Sequence, residues 1–199
     1  NGFYMPFKKN DRYGTYFDGS TSTGITTPDH TDFTLGTSNF TVETWVRSYE
    51  DAGATRYISG QGPSSGANAG FSYVLMIDSN NKPVGRAFYG SSYVDLVSST
   101  AIVDSTWYHI AFVRNSNTFT LYLNGTSVAS STNSITVNEA STKLGVGVLG
   151  EYVAAGQFQG WLSNFRLVVG TAVYTSNFTP STSPLTAITN TKLLCCQDS

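Results

Sequence analysis

The chain has 199 residues, 40% of them apolar and 14% aromatic, which is apolar mass enough for a packed core and excludes a disordered polymer. Only 12% are charged, about half the roughly 25% usual in soluble domains, and the net charge is −2. The Lys and Arg residues form no basic stripe, which excludes nucleic-acid binding driven by phosphate contacts, and no apolar run approaches the roughly 20 residues that span a bilayer.

Asn1 to Asp11 reads as an irregular lead-in containing Pro6 and Lys8-Lys9. With no initiator Met and no signal-peptide pattern, we expect a piece of a longer polypeptide, residues 1–12 forming the lead-in and 13–199 the domain. Arg12 to Asp18 is strand-like and closes on the Asp18-Gly19 turn; Pro28 to Leu35 is loop. Asn39 to Ser48 is a clear strand, with Phe40, Val42, Thr44 and Val46 on one face and Thr41, Glu43, Trp45 and Arg47 on the other. Thr55 to Ser59 predicts a short strand. Gly60 to Gly70, with four Gly and a Pro, predicts a surface loop. Strands follow at Phe71 to Ile77, Pro83 to Tyr89 and Tyr93 to Val97.

Thr106 to Ala129 predicts a meander. Trp107, His109, Ala111 and Val113 alternate with Tyr108, Ile110, Phe112 and Arg114, so this strand is covered on both faces. Asn124-Gly125 predicts a type I′ hairpin turn. Lys143 to Leu149 alternates with glycine, as a strand does where something sits close against it. Phe158 to Val169 is a long strand or two, Tyr174 to Pro184 is extended, and Lys192 to Cys196 is a terminal strand. Some twelve strands with turns between them, and no sustained period of 3.6, predict an all-β fold: a two-sheet antiparallel jelly-roll sandwich.

Cys195 and Cys196 are adjacent, and neighbouring cysteines rarely bridge each other because the ring distorts the peptide. Two reduced thiols in the last strand are expected, with an intermolecular bridge or a metal clip as the alternatives. His109 is read as a packed, hydrogen-bonded histidine. Arg47, Arg114 and Arg166 are expected to pair with carboxylates or cap backbone carbonyls. Trp45 and Trp107 are expected to fill the sandwich interior. The sequons at Asn39, Asn124 and Asn177 matter only in a eukaryotic secretory setting, and Asn124 is better explained by its turn. No E-x-D-x-x-E strand, metal-spaced His cluster, nucleophile elbow or phosphate loop occurs, so no catalysis is expected.

The motifs FDG at Phe17 to Gly19, FTVETWVR at Phe40 to Arg47, WYHIAFVR at Trp107 to Arg114, LYLNG at Leu121 to Gly125 and FQGWLSNFRLVVGTAVY at Phe158 to Tyr174 resemble, in order and spacing, those of concanavalin A-like jelly rolls of the laminin G-like and pentraxin-like branch. The lead-in NGFYMPF and the tail FTPSTSPLTAITNTKLLCC are similar to laminin G-like modules in virion proteins of tailed marine phages. The resemblance implies a non-enzymatic virion structural module of a tail fibre, baseplate or capsid decoration. It would sit on the virion surface or outside the cell, touching other virion proteins and copies of itself, with a glycan-binding role in host attachment. A Tyr-rich, charge-poor surface suits such contacts. The alternative is an extracellular carbohydrate-binding adhesin domain of a cellular protein. Sugar rings stack on exposed aromatics, so the glycan candidates are Tyr89, Tyr93 and Asp95 around the Gly90 turn and Glu151 and Tyr152 in the Gly150 to Gly156 loop, with the Gly60 to Gly70 loop as a third reader. Laminin G-like relatives often hold Ca²⁺ at one edge; Asp18, Asp78 and Asp95 are the candidates that the resemblance implies.

Overall fold

The computed structural model describes residues 14–20, 22–49, 53–63, 68–151 and 156–197. Among these, the chain runs through β1 (Thr15–Asp18), β2 (Ile25–Thr27), β3 (Phe40–Ser48), β4 (Arg56–Gln61), β5 (Tyr73–Ile77), β6 (Pro83–Tyr89) and β7 (Ser92–Val97). It continues through β8 (Tyr108–Asn115), β9 (Thr118–Leu123), β10 (Thr126–Thr132), β11 (Leu144–Val146), β12 (Gln159–Val169) and β13 (Thr191–Cys195). Two 3-10 turns, Thr31–Phe33 and Asn68–Gly70, are the helical pieces among the described residues.

One sheet has the order β1-β12-β3-β8-β9-β10, with β13 also paired to β12; the other has the order β2-β11-β4-β5-β6-β7. All the pairings between these named strands are antiparallel. Along one edge of β12, β1 and β13 lie end to end, opposite 159–162 and 165–168. The predicted alternation survives in space. Phe40, Val42 and Val46 of β3, Ile110 and Phe112 of β8, and Phe165 and Leu167 of β12 meet Tyr73, Leu75 and Ile77 of β5 and Val94 and Leu96 of β7 in one buried cluster. This is the two-layer packing of a β-sandwich, in which each sheet turns one face inward.

The outer face of the seven-stranded sheet is covered too, by residues 170–184. Ala172, Tyr174 and Phe178 pack on the buried Ala111, Val113 and Tyr122. The Tyr174 and Phe178 rings stack at 3.5 Å, and Phe178 meets the His109 ring edge-on at 5.6 Å. Trp45 is therefore buried outside the sandwich, not between the sheets as expected: its ring lies against His109 and its Nε1 donates to the Ser181 carbonyl at 2.9 Å. Trp107 precedes β8 and is half-buried. For Trp45 the reason is that the outward register of β3 gains cover only from a segment far along the chain.

Beneath this strap lies a buried polar knot. Glu43 is fully buried; Oε1 accepts from Arg166 Nε at 2.8 Å and Nη2 at 2.5 Å, and Oε2 accepts from the Tyr174 hydroxyl at 2.6 Å. His109 Nε2 lies 3.1 Å from the same Oε2, within hydrogen-bonding distance, while its Nδ1 is buried without a hydrogen-bond partner. Burial opposes the Glu43 charge most strongly, but the hydrogen bond and pull of His109, the Arg166 charge and the Tyr174 hydroxyl outweigh it, so Glu43 titrates below its usual 4.5. The expected carbonyl-capping role holds for Arg47, which donates to Ser105, and for Arg114, which donates to Ser116, Gly36 and Ile135. The three sequon amides work inside the fold: Asn39, Asn124 and Asn177 accept from the backbone N–H of Ser116, His109 and Ser127. Cys195 and Cys196 are free thiols with their sulfurs 3.7 Å apart.

Asn124 and Gly125 turn the β9–β10 hairpin with φ of 50° and 79°, as a type I′ turn requires. The strap docks on this turn, Phe178 donating its N–H to the Gly125 carbonyl at 2.9 Å, and a Cβ on Gly125 would lie 1.9 Å from the Phe178 carbonyl oxygen. Gly125→Ala is expected to lose at least the roughly 1–2 kcal/mol of left-handed backbone strain and to loosen the strap; hydrogen exchange at the Phe178 amide reads the second effect. Glu43→Gln leaves a buried guanidinium without its counter-charge and is expected to cost about 3–5 kcal/mol in denaturant titration. Because the folded pKa is depressed, the Glu43 contribution is full above about 4.5 and is lost as pH falls below it, so the stability gap between wild type and Glu43→Gln should close under acid.

Candidate functional site

Among the described residues, no such strap crosses the outer face of the six-stranded sheet. Outward-pointing residues of a strand normally meet water, yet here Val74, Met76, Val84, Phe88 and Leu149 form a second buried cluster, with Tyr57 and Phe71 packed against it. They surround a hollow of about 240 Å³, to which Asn68 and Arg86 add polar groups. Val74 and Met76 of β5 lie beneath; Phe71 and Phe88 stack beside them with centroids 5.1 Å apart. Leu149 comes across from beyond β11 and is seated over Gly60 of β4, where a Cβ would be 2.4 Å from Leu149 Cδ1.

The β6–β7 hairpin supplies the polar rim. Its register sets Phe88 opposite Tyr93, Arg86 opposite Asp95 and Tyr89 opposite Ser92. Tyr93, 42% exposed, meets Phe88 edge-on at 5.8 Å. The Arg86 guanidinium carbon stands 4.2 Å from the centre of the Tyr93 ring, and Arg86 Nε and Nη2 each donate to Asp95 at 2.6 Å. That fork fixes the plane of the guanidinium, and the bond to Asp95 raises the Arg86 pKa further.

Of the residues anticipated for glycan contact, Tyr93 and Asp95 share this rim. Tyr89 points the other way and packs on the inner core cluster, because one residue along a strand reverses the face. Glu151 is exposed in the turn just beyond Leu149, its N–H donating to the Gly62 carbonyl at 3.3 Å. Tyr152 lies outside the described residues, as do 64–67 of the Gly60 to Gly70 loop. Asn138 ties two of the anticipated loops together, donating to the carbonyls of Asn68 and Gly90 at 3.3 and 3.0 Å. Arg86, Phe88, Phe71 and Tyr57 were not anticipated. One signal was present: an arginine at every second position with Val84 and Phe88, in a strand otherwise apolar.

The three calcium candidates stand apart. Asp18 accepts from Ser20 N and Thr23 Oγ1, Asp78 accepts from Asn80 N and Lys82 N, and Asp95 holds Arg86. Among the described residues no group of three His, Cys, Asp or Glu side chains gathers in a metal-holding arrangement, and no helix is long and apolar enough to cross a membrane.

A laminin G profile described as "Concanavalin A-like lectin/glucanases superfamily" matches residues 18–182. The chain belongs to this superfamily. No curated protein sequence is similar to it at a significant level. Among solved structures, a Bacteroides ovatus protein named as a candidate carbohydrate-binding protein superposes with a TM-score of 0.68 at 15% identity, over 92% of this chain and 50% of that one. The chain thus spans half the length of that relative. Domain 4 of the arabinanase AbnA from Geobacillus stearothermophilus, in complex with arabinotriose, gives 0.59 at 19% identity over 79% of this chain and 71% of the other. The CBM40 module of a Ruminococcus gnavus sialidase gives 0.63 at 11% over 82% and 93%. At these identities the likeness is one of superfamily fold.

The seat of Leu149 is testable. Gly60→Ala places its methyl against Leu149 and, at 2.8 Å, the rigid Tyr73 carbonyl oxygen. It is expected to destabilise the domain by about 1–3 kcal/mol in urea titration and to shift the Leu149 methyl resonances as that side chain is pushed into the hollow.

Proposed function

We propose that the domain is a non-catalytic glycan-binding module, and that the hollow on the six-stranded sheet is its binding site. One observation carries this: aromatic rings and a fixed guanidinium share a hollow on a sheet face that no described segment straps. Aromatic rings offer apolar faces to the C–H side of a sugar, and the guanidinium offers donors to its hydroxyls. Tyr93 and Tyr57 would supply stacking area beside the buried Phe88, and Arg86, Asp95 and Asn68 the polar contacts, with Glu151 and Tyr152 as further candidates. The Glu43 knot is sealed under the strap with both carboxylate oxygens engaged, which suits a structural role. The sugar-complexed relative and the carbohydrate-binding module among the fold neighbours support the same reading.

For the setting of the module we retain residues 13–199 as one domain on the surface of a virion, mounted beside other virion proteins and copies of itself. That reading is supported by the similarity of the lead-in and tail to phage virion modules. The fold neighbours are equally consistent with an extracellular domain of a cellular protein.

A glycan array followed by titration calorimetry tests the site. Tyr93→Ala and Arg86→Gln are each expected to weaken binding of whichever glycan is retained by about tenfold, the scale of one stacking or charge-assisted contact, with the thermal midpoint little changed. Folded variants with unchanged affinity would remove the hollow as the site.

A further inference from the structure

The Arg86–Asp95 pair bears on which glycans the hollow accepts, an inference that rests on the glycan-binding reading above. Among the described residues lining the hollow, Arg86 is the one charged side chain, and its charge is answered across the strand by Asp95 at 2.6 Å through both oxygens. Two of the guanidinium's five N–H groups are committed to that pair; those left over remain donors, and the Asp95 oxygens keep lone pairs on their free side. Donors and acceptors therefore stand next to each other in a fixed plane, held by the Tyr93 ring at 4.2 Å.

Adjacent sugar hydroxyls each donate and accept, so they match this arrangement. A ligand carboxylate or sulfate does not. It would approach a cation already neutralised, with Asp95 beside it, and exposed Glu151 beyond Leu149 adds negative charge on the loop side. We propose that the Arg86–Asp95 pair makes this a site for neutral glycans, and that Asp95 is the specificity-determining residue that turns acidic ones away. Removing the Asp95 charge frees the Arg86 charge without removing the aromatic faces.

The test is an array of matched pairs read at low salt: lactose beside sialyllactose, and neutral oligosaccharides beside their uronic-acid counterparts. The wild-type domain is expected to favour the neutral member of each pair, and Asp95→Asn to shift the acidic-to-neutral affinity ratio upward by about fivefold, the upper range for a partly exposed pair. The double variant Arg86→Gln with Asp95→Asn should lose that shift, since no cation remains. A readout needing no variant is salt: wild-type affinity for a neutral glycan should not change between low and high ionic strength. A wild-type preference for acidic members, salt-weakened binding, or a folded Asp95→Asn variant with an unchanged ratio would overturn the role of Asp95 and leave the hollow standing. Retention of no glycan by the wild-type domain would overturn the hollow as a glycan site, and the proposal with it.

Discussion

A single buried carboxylate organises the outer surface of this sandwich. Glu43 sits on the outward face of β3, where a charged side chain would ordinarily reach water. It is instead enclosed by Arg166 from β12, His109 from β8 and Tyr174 from the strap. A buried charge is tolerated only when it is paired and hydrogen-bonded, and here both oxygens are engaged. The knot thus specifies where the strap lies. With Tyr174 bonded to Glu43, the Phe178 ring falls over His109 and Tyr122, and the Phe178 N–H reaches Gly125.

This cover makes the two outer faces unequal. The strap occupies the apolar and aromatic residues on the outside of the seven-stranded sheet. The six-stranded sheet carries a comparable apolar set, Val74, Met76, Phe88 and Leu149, with a hollow above it. Both faces began with the same problem, large side chains on the outward register of a strand. One was solved by the chain folding back on itself; the other leaves a hollow whose rings and guanidinium are held in place by one another.

Rigidity of that surface comes from its neighbours. Phe88 is held between the Phe71 stack and the edge of Tyr93, Arg86 between Asp95 and the Tyr93 ring, and Leu149 on the space that Gly60 leaves. Side chains fixed before a ligand arrives lose little freedom on binding, which is how a shallow site gains affinity and selectivity.

The sequence by itself determined what depends on local period. Alternation along Phe40 to Arg47 and Tyr108 to Arg114 sorted inward from outward residues, because a strand reverses its side chains at every step. Asn124-Gly125 set its turn because the backbone there needs positive φ. The same local reasoning could not say what covers Glu43 and Trp45, since Tyr174 and Ser181 lie more than a hundred residues away. Nor could it separate Tyr89 from Tyr93. Both are tyrosines beside one turn, and only the pairing of Phe88 with Tyr93 sends one to the hollow and the other to the core. The partnership of Arg86 with Asp95 is likewise a matter of register between strands. Cross-strand register and the return of the chain over a sheet are set by contacts summed over the whole sandwich, and these the tertiary structure alone decided.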